Sequence, residues 1–469
     1  MMYANICDII SKDANSIKFD GLSEDQEKSF NDVKNFLQSD NIFFLLTGFA
    51  GTGKTFLIFH IIKNLIDTSK KAVAITATTH KAVKVLMEMA KRQHADFMTI
   101  HSLMGLKEHI DHDGNVSFKP GDGNNKIINY DIIFVDEASM LSNEMFNLIR
   151  DVLAKNSSSI LGGKRPKVIF IGDPAQIPPV NERMSIIMTR QGLQDNRIKV
   201  SALKQIIRQA EESPIINLSV KLRSNLNGTI NFKNHSVFKE FGCVVVSGES
   251  EIHSFIKTLV DDNKFENKYK IIAWRNKTVD QYNLVIRRQI TKMDNPPMIV
   301  ESDKLILNKP IVDDAGYIKM YTNEEVTAKE VSVSTTELKH PSYEIVKDIK
   351  YYVTRLYSLD RNYDQFVHIV HEDSIKDFSD FKNELANLIK VEKDKKIRSR
   401  RWVEWFKMTG VFAWVKHGYA ITSHKAQGST YDVVIMDNND ISYNPNLFEQ
   451  NRLRYTAVTR ASKALVIIN

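Results

Sequence analysis

The chain is 469 residues long, 42% hydrophobic, with 64 basic against 57 acidic residues and a net charge of +7. Such a length buries several cores rather than one, so three or four domains are expected; the mild basic excess suits a polyanionic partner and ordinary solubility equally. Two distant cysteines, Cys7 and Cys243, exclude a disulfide framework and a cysteine-based zinc site, and no run approaches the ~20 apolar residues of a membrane span, so a cytosolic setting with no membrane is expected.

Residues 1–20 read as a short extension. Thereafter, apolar runs rich in β-branched residues alternate with helical stretches: 41–48 (NIFFLLTG), 71–78 (KAVAITAT), 130–139 (YDIIFVDEAS), 167–173 (KVIFIGD), 268–276 (KYKIIAWRN), 431–437 (YDVVIMD) and 463–469 (KALVIIN). Continuous rather than alternating apolarity marks strands buried on both faces, so the fold class is α/β with parallel sheets flanked by helices. Two stretches interrupt it. Residues 106–128 are polar and glycine-bearing, and Asp113-Gly114 is placed as the tight turn of a small inserted β-hairpin. From 324 to 412 the chain turns β-like, then helical and charged, before parallel-type strands resume, which predicts a module inserted into a second α/β domain.

The first apolar run leads into Gly48-x-x-x-x-Gly53-Lys54-Thr55, a complete Walker A pattern between a strand and a helix. The expected nucleotide contacts are Gly48, Ala50, Gly51, Thr52, Gly53, Lys54, Thr55 and Phe56. Backbone N–H groups of the turn face phosphate oxygens, Lys54 reaches the β- and γ-phosphates, and Thr55 ligates magnesium. Asp136 and Glu137 close the strand at 130–139. After a Walker A loop, Asp136 is expected to hold Mg2+ and Glu137 to deprotonate the attacking water, although an acidic pair alone is often only a helix cap. In FIGDPAQIPPV, the Gln176 amide can donate to a γ-phosphate oxygen and accept from the water. ATP and Mg2+ are therefore the expected cofactors.

Taken in order, GFAGTGKT, TATTHKAV, TIHSLM, VDEAS, GDPAQIPPV, YAITSHKAQGST and LRYTAVTRA resemble the motif series of the superfamily 1 helicases, most closely the 1B branch of RecD-like and Dda-like enzymes. The resemblance runs from about residue 22 to the C-terminus, strong in the motifs and weak in the insertions. It implies two RecA-like P-loop domains. Domain 1A covers 21–200 with a 1B hairpin or pin near 106–128, domain 2A covers 201–323 and 413–469, and 324–412 is an SH3-like 2B insertion. Gln26 is then the adenine-reading glutamine, and Arg208 and Arg460 are the arginines that approach the γ-phosphate. Gln427 and Gly428 couple the nucleotide cleft to the DNA track.

The same resemblance places the DNA grips on polar strings after strands: Thr79, His80, Thr99, His101 and Ser102 in the first domain, Thr422, Ser423, His424 and Lys425 in the second. Hydroxyls, imidazoles and backbone N–H groups hold phosphates without reading sequence. Trp274 and Asn276 fall in a further track-like segment, though a tryptophan there suits a core equally. Phe118 on the hairpin either packs it or stacks on the junction, where about 1–3 kcal/mol per stacked base matches about 1.4 kcal/mol per duplex step. The basic run Lys393, Lys395, Lys396, Arg398, Arg400 and Arg401 either follows phosphates or is a solvated helix face. The implied activity is ATP-dependent 5′-to-3′ translocation on single-stranded DNA with duplex unwinding, by a monomer acting at single-strand/duplex junctions alongside replication or recombination proteins. A protein-displacing translocase, a nucleotide-gated binding protein and an RNA helicase stay open as alternatives.

Overall fold

The computed structural model describes residues 21–66, 70–90, 94–111, 113, 116–120, 125–157, 165–206, 213–232, 236–238, 241–261, 268–313 and 318–469. The chain divides into two compact units, one holding Met1–Gly105, Asp122–Tyr282 and Ala420–Asn469, the other Leu106–Gly121 and Asn283–Tyr419.

The first unit contains two six-stranded sheets. In one, every strand is parallel and the order is Asp96–Thr99, Val73–Ala77, Ile132–Asp136, Lys167–Gly172, Phe43–Gly48, Lys199–Leu203. Its central strands are apolar on both faces because helices cover both. Phe44, Leu46, Ile75 and Phe134 share a core with Val33 and Phe36 of helix Glu24–Gln38 and with Leu57, Ile58 and Ile61 of helix Lys54–Leu65. Each such side chain contributes about 1.5–3 kcal/mol by burial. The register sets Thr47 beside Gly172, Gly48 beside Leu203 and Ala77 beside Asp136, so the C-terminal strand ends meet along one edge. That edge is where α/β sheets hold ligands.

The second sheet runs Ala420–Thr422, Tyr269–Ala273, Tyr431–Asp437, Ala461–Ile468, Phe241–Val246, all parallel, with Ser236–Phe238 antiparallel at its edge. All seven apolar runs read from the sequence form strands of these two sheets. Lys199–Leu203 was not among them: it is an edge strand whose lysine, valine and alanine face solvent, so it lacks the continuous apolarity that marks an interior strand.

The second unit is built on an antiparallel five-stranded sheet, ordered Tyr363–Val370, Val346–Ser358, Glu325–Lys339, Lys304–Leu307, Val415–His417. Its last two strands lie on either side of 324–412 in the sequence. Along Val346–Ser358, Tyr352, Thr354, Leu356 and Ser358 are buried on one face, while Ile349, on the opposite face, is buried too. Helices Ile375–Lys390 and Lys395–Thr409 follow the sheet, and Phe378, Phe381 and Leu385 pack with Leu338, Ile349 and Phe412. The inserted hairpin also belongs to this unit. Leu106–Ile110 pairs antiparallel with Val116–Pro120, Ile110 opposite Val116, and Asp113 at the turn forms an ion pair with Arg398 at 3.3 Å. Gly114 lies outside the described residues.

Candidate nucleotide cleft and nucleic-acid track

The turn after strand Phe43–Gly48 ends at Gly53, which precedes helix Lys54–Leu65 with φ of 76°. Glycine adopts that left-handed geometry at little cost, and the helix's unpaired N–H groups then open onto the turn. Lys54 lies across its own loop, donating to the carbonyls of Gly48 at 2.8 Å and Phe49 at 3.0 Å. The Thr52 hydroxyl donates to Phe49 O at 2.8 Å. Thr55 is half-buried and Phe56 exposed. Gln26 is buried beneath the loop. Its Oε1 accepts from Ser23 N–H at 3.2 Å, closing the helix cap, and its Nε2 donates to Thr52 O at 3.3 Å. Both ends of the amide assigned to adenine are thus engaged, one in the helix cap and one on the phosphate loop.

Beside the loop, strand Ile132–Asp136 ends in the acidic pair. Glu137 sits in the left-handed region with φ of 52°, a conformation costing about 1–3 kcal/mol in a non-glycine residue. It is held there by its N–H donating to Asp136 Oδ1 at 2.9 Å and by Met140 N–H donating to its carbonyl at 3.0 Å. Burial, reinforced by the Glu137 charge, pushes the Asp136 carboxyl up to about 7, with the Glu137 N–H and Lys54 pulling the other way. The neighbouring strand, Lys167–Gly172, leads to Asp173, which is 1% exposed, and to buried Gln176, whose Oε1 has no hydrogen-bond partner among the described residues.

The opposite wall comes from the second sheet's domain, chiefly helix Leu447–Val458. The Tyr455 hydroxyl donates to Asp173 Oδ2 at 2.7 Å and accepts from Ala50 N–H at 3.0 Å. One turn earlier, the Arg452 guanidinium donates to Gln176 O at 2.8 Å and Pro174 O at 2.9 Å. Gln427 Nε2 donates to Ile177 O at 3.1 Å. Gly428 has φ of 71°, and a Cβ there would stand 3.3 Å from both Ala82 Cβ and Thr79 Oγ1, so the two sheet domains touch at a point where a side chain would crowd them. The Arg223 guanidinium lies 4.0 Å from the centre of the Phe49 ring. Arg460, by contrast, donates to Ser429 O at 3.1 Å and Thr456 O at 3.2 Å and so stays within its own domain. Arg208 lies outside the described residues. Sequence reasoning singled out Gln176 and Gln427 but passed over Tyr455, Arg452 and Asp173, although all three stand inside the quoted motifs or beside them.

The track residues divide into those that shape backbone and those that face outward. Thr79 caps helix His80–Met89 by accepting from Ala82 N–H, and Thr99 caps helix Ile100–Leu103 by accepting from Ser102 N–H, each at 3.2 Å. His80 is half-buried, while His101 and Ser102 are exposed. Thr422 accepts from Lys425 N–H at 3.3 Å. Ser423 is fully buried with its N–H and hydroxyl on Ala273 O, which leaves half-buried His424 and Lys425 as the outward members of that string. Desolvation of the rings lowers His101 and His424 from the usual imidazole value, with Glu449 opposing this at His424. Half-buried Trp274 and exposed Asn276 flank a segment organised by Asp440. This carboxylate accepts from Trp274 N–H at 2.7 Å, Arg275 N–H at 2.8 Å, and both Arg275 Nε and the Thr278 hydroxyl at 2.6 Å.

In the second unit, Phe118 occupies the hairpin position opposite Glu108. The basic run splits by residue type. Arg398, Arg400 and Arg401 are engaged with Asp113, Glu404 and Glu392, whereas Lys393, Lys395 and Lys396 are exposed.

A phosphate loop, an acidic strand end beside it and a second parallel-sheet domain bonded to both define a two-domain P-loop ATPase of the helicase-motor class, which binds ATP. The sequence comparisons agree with this. The AAA domain family matches residues 33–182 and the UvrD-like helicase C-terminal domain matches 417–468. The chain is 28% identical to "Uncharacterized protein R530" of Acanthamoeba polyphaga mimivirus and 25% identical to the ATP-dependent DNA helicase dda of Enterobacteria phage T4, in each case over 94% of this chain and 98% of the relative. Among solved structures, Pif1 helicase from Bacteroides in complex with ADP-AlF3 and ssDNA aligns with a TM-score of 0.49 at 18% identity, covering 96% of this chain and 92% of that one. Through these matches the chain is similar to superfamily 1B-type helicases of the RecD and Dda kind.

Proposed function

We propose that the protein is an ATP- and Mg2+-dependent DNA helicase that moves 5′ to 3′ along single-stranded DNA and unwinds duplex at single-strand/duplex junctions. The observation that carries this reading is the set of bonds from Tyr455, Arg452 and Gln427 to the phosphate loop and to the segment 173–177. Groups that respond to nucleotide are thereby tied to a second domain bearing its own track residues. Two grips on one strand that alternate as the cleft opens and closes produce directional stepping.

Within the cleft, Lys54 exchanges the Gly48 and Phe49 carbonyls for the β- and γ-phosphates. Glu137 takes the proton of the attacking water, and the unpartnered Gln176 Oε1 accepts the water's second hydrogen. Arg208 and Arg460 bring positive charge to the γ-phosphate, Arg460 by leaving Ser429 and Thr456. An arginine in this role is worth about 10³–10⁵ in rate. The donor set fits a divalent cation: a half-buried carboxylate beside a second acid, at a strand end next to the loop, is driven toward protonation unless positive charge arrives. Asp136 and Thr55 would hold Mg2+, which when bound neutralises phosphate charge. Gln26 reads adenine, and Phe56 lines the base side.

On the track, Thr79, His80, Thr99, His101 and Ser102 work against Thr422, His424, Lys425, Trp274 and Asn276. Ser423 supports the second group from within, and Gln427 and Gly428 link it to the cleft. His101 and His424 act as hydrogen-bonding groups. Phe118 on the hairpin meets the fork. The antiparallel sheet of the second unit is read as the SH3-like 2B insertion, with domain 1A near 21–200 and domain 2A near 201–323 and 413–469. Unwinding of duplexes carrying either a 5′ or a 3′ single-stranded tail tests the polarity: activity with 5′ tails is expected, and activity confined to 3′ tails contradicts it.

A further inference from the structure

The geometry points to Tyr455 as a positioning residue whose hydroxyl couples the occupancy of the phosphate loop to the second domain, and so governs how strongly single-stranded DNA stimulates hydrolysis. This rests on the ATPase reading above and adds to it a group outside the glutamines and arginines already assigned.

A phenol has one hydrogen to donate and lone pairs to accept with. Here the hydrogen goes to Asp173 Oδ2 at 2.7 Å, and a lone pair takes Ala50 N–H at 3.0 Å. The ring is fully buried and Asp173 is 1% exposed, so water is not at hand to replace either bond. The remaining Asp173 oxygen accepts from Ala175 N–H at 2.9 Å, which ties the carboxylate to the short turn ending at Gln176. Arg452, three residues before Tyr455 on the same helix, holds the carbonyls of Pro174 and Gln176. One helix face therefore grips both the phosphate loop and the γ-phosphate-sensing turn.

Ala50 lies in the loop whose N–H groups turn toward phosphate, so a γ-phosphate competes with the hydroxyl for the local N–H arrangement. The Tyr455–Asp173 pair then shifts with that competition. The shift passes along helix Leu447–Val458 to the domain that carries Thr422, His424 and Lys425. A buried hydrogen bond with two faces is a suitable switch because each partner changes what the other finds.

Tyr455→Phe keeps the ring and deletes the hydroxyl. Steady-state ATPase with and without single-stranded oligonucleotide should show the ratio of DNA-stimulated to DNA-free kcat falling about tenfold, inside the usual 5- to 150-fold span of site coupling. Asp173→Asn, which preserves an acceptor for the phenol, should retain most of the stimulation, and the double variant should match Tyr455→Phe alone. An undiminished stimulated kcat in Tyr455→Phe overturns the proposal, as does an equal fall with and without DNA, which marks simple support of the loop. Should Tyr455→Phe not fold, Asp173→Ala removes the phenol's acceptor from the other side. Selective loss of stimulation there supports the coupling, and full stimulation overturns it. Wild-type protein without DNA-stimulated ATPase would instead refute the helicase reading itself.

Discussion

The two six-stranded sheets of the first unit share a parallel α/β construction, yet they put different chemistry on their C-terminal edges. In the first, the strand ends supply a phosphate loop, the Asp136–Glu137 pair and Gln176. In the second they supply hydrogen-bonding groups with no phosphate loop: Thr422 to Lys425 after one strand and the Asp437–Asp440 turn after another. Asp440 organises Trp274, Arg275 and Thr278, whereas Asp136 has the Glu137 N–H and Lys54 to offset its charge. One edge carries the phosphate loop and an acidic pair. The other is bonded internally around Asp440, and its domain reaches the first through Tyr455, Arg452 and Gln427.

Removing the nucleotide grip should have the largest effect. Lys54→Ala is expected to abolish ATP hydrolysis and unwinding together while leaving single-stranded DNA binding near wild type, because the track groups lie on other strand ends. Unwinding by this variant would break the assignment of chemistry to the first edge. Next, Phe118→Ala should lose most strand separation while keeping DNA-stimulated ATPase, measured in parallel on a forked duplex and on single strands. Equal retention of both would take strand separation away from the hairpin.

Asp440→Ala addresses the second edge and should be milder. It strands the Trp274 and Arg275 N–H groups, each worth about 1–3 kcal/mol when left unpaired in a buried setting, and should lower the melting temperature and weaken single-stranded DNA binding without raising the KM for ATP. Unaltered DNA affinity would remove the segment from the track. Burial raises the Asp440 carboxyl, but the bonds from Thr278, Arg275 and Trp274 outweigh it and hold the group below the ordinary aspartate range. A depressed carboxyl stabilises the fold above its unfolded pKa of about 3.9 and loses that contribution as pH falls through the folded value. The stability difference between wild type and Asp440→Ala should therefore be constant near neutrality and shrink below about pH 4.

Much of this was legible in the sequence because strands buried on both faces are continuous apolar runs, and because a phosphate loop needs glycines and a lysine at set spacing. The hairpin was legible from its turn, as was the helical, charged end of the insertion. What escaped was contact across the cleft. Every residue of Asn451 to Val458 is buried, so no helical stripe distinguishes the face of Tyr455 and Arg452 from the rest. A tyrosine and an arginine in such a string look like core and surface until both domains are in place. The hairpin's pairing with Arg398, nearly three hundred residues away in sequence, carries no local signal either. Ser423 shows the reverse: a hydroxyl in a polar string expected to hold phosphates is buried and bonded to a neighbouring strand.

The central claim is that one cleft joins nucleotide chemistry on the first edge to nucleic acid held by both domains. Steady-state ATPase of the full chain, with and without a single-stranded DNA oligonucleotide at saturating ATP and Mg2+, tests it most directly. A marked rise in kcat on adding DNA is predicted, and a rate indifferent to DNA would contradict it.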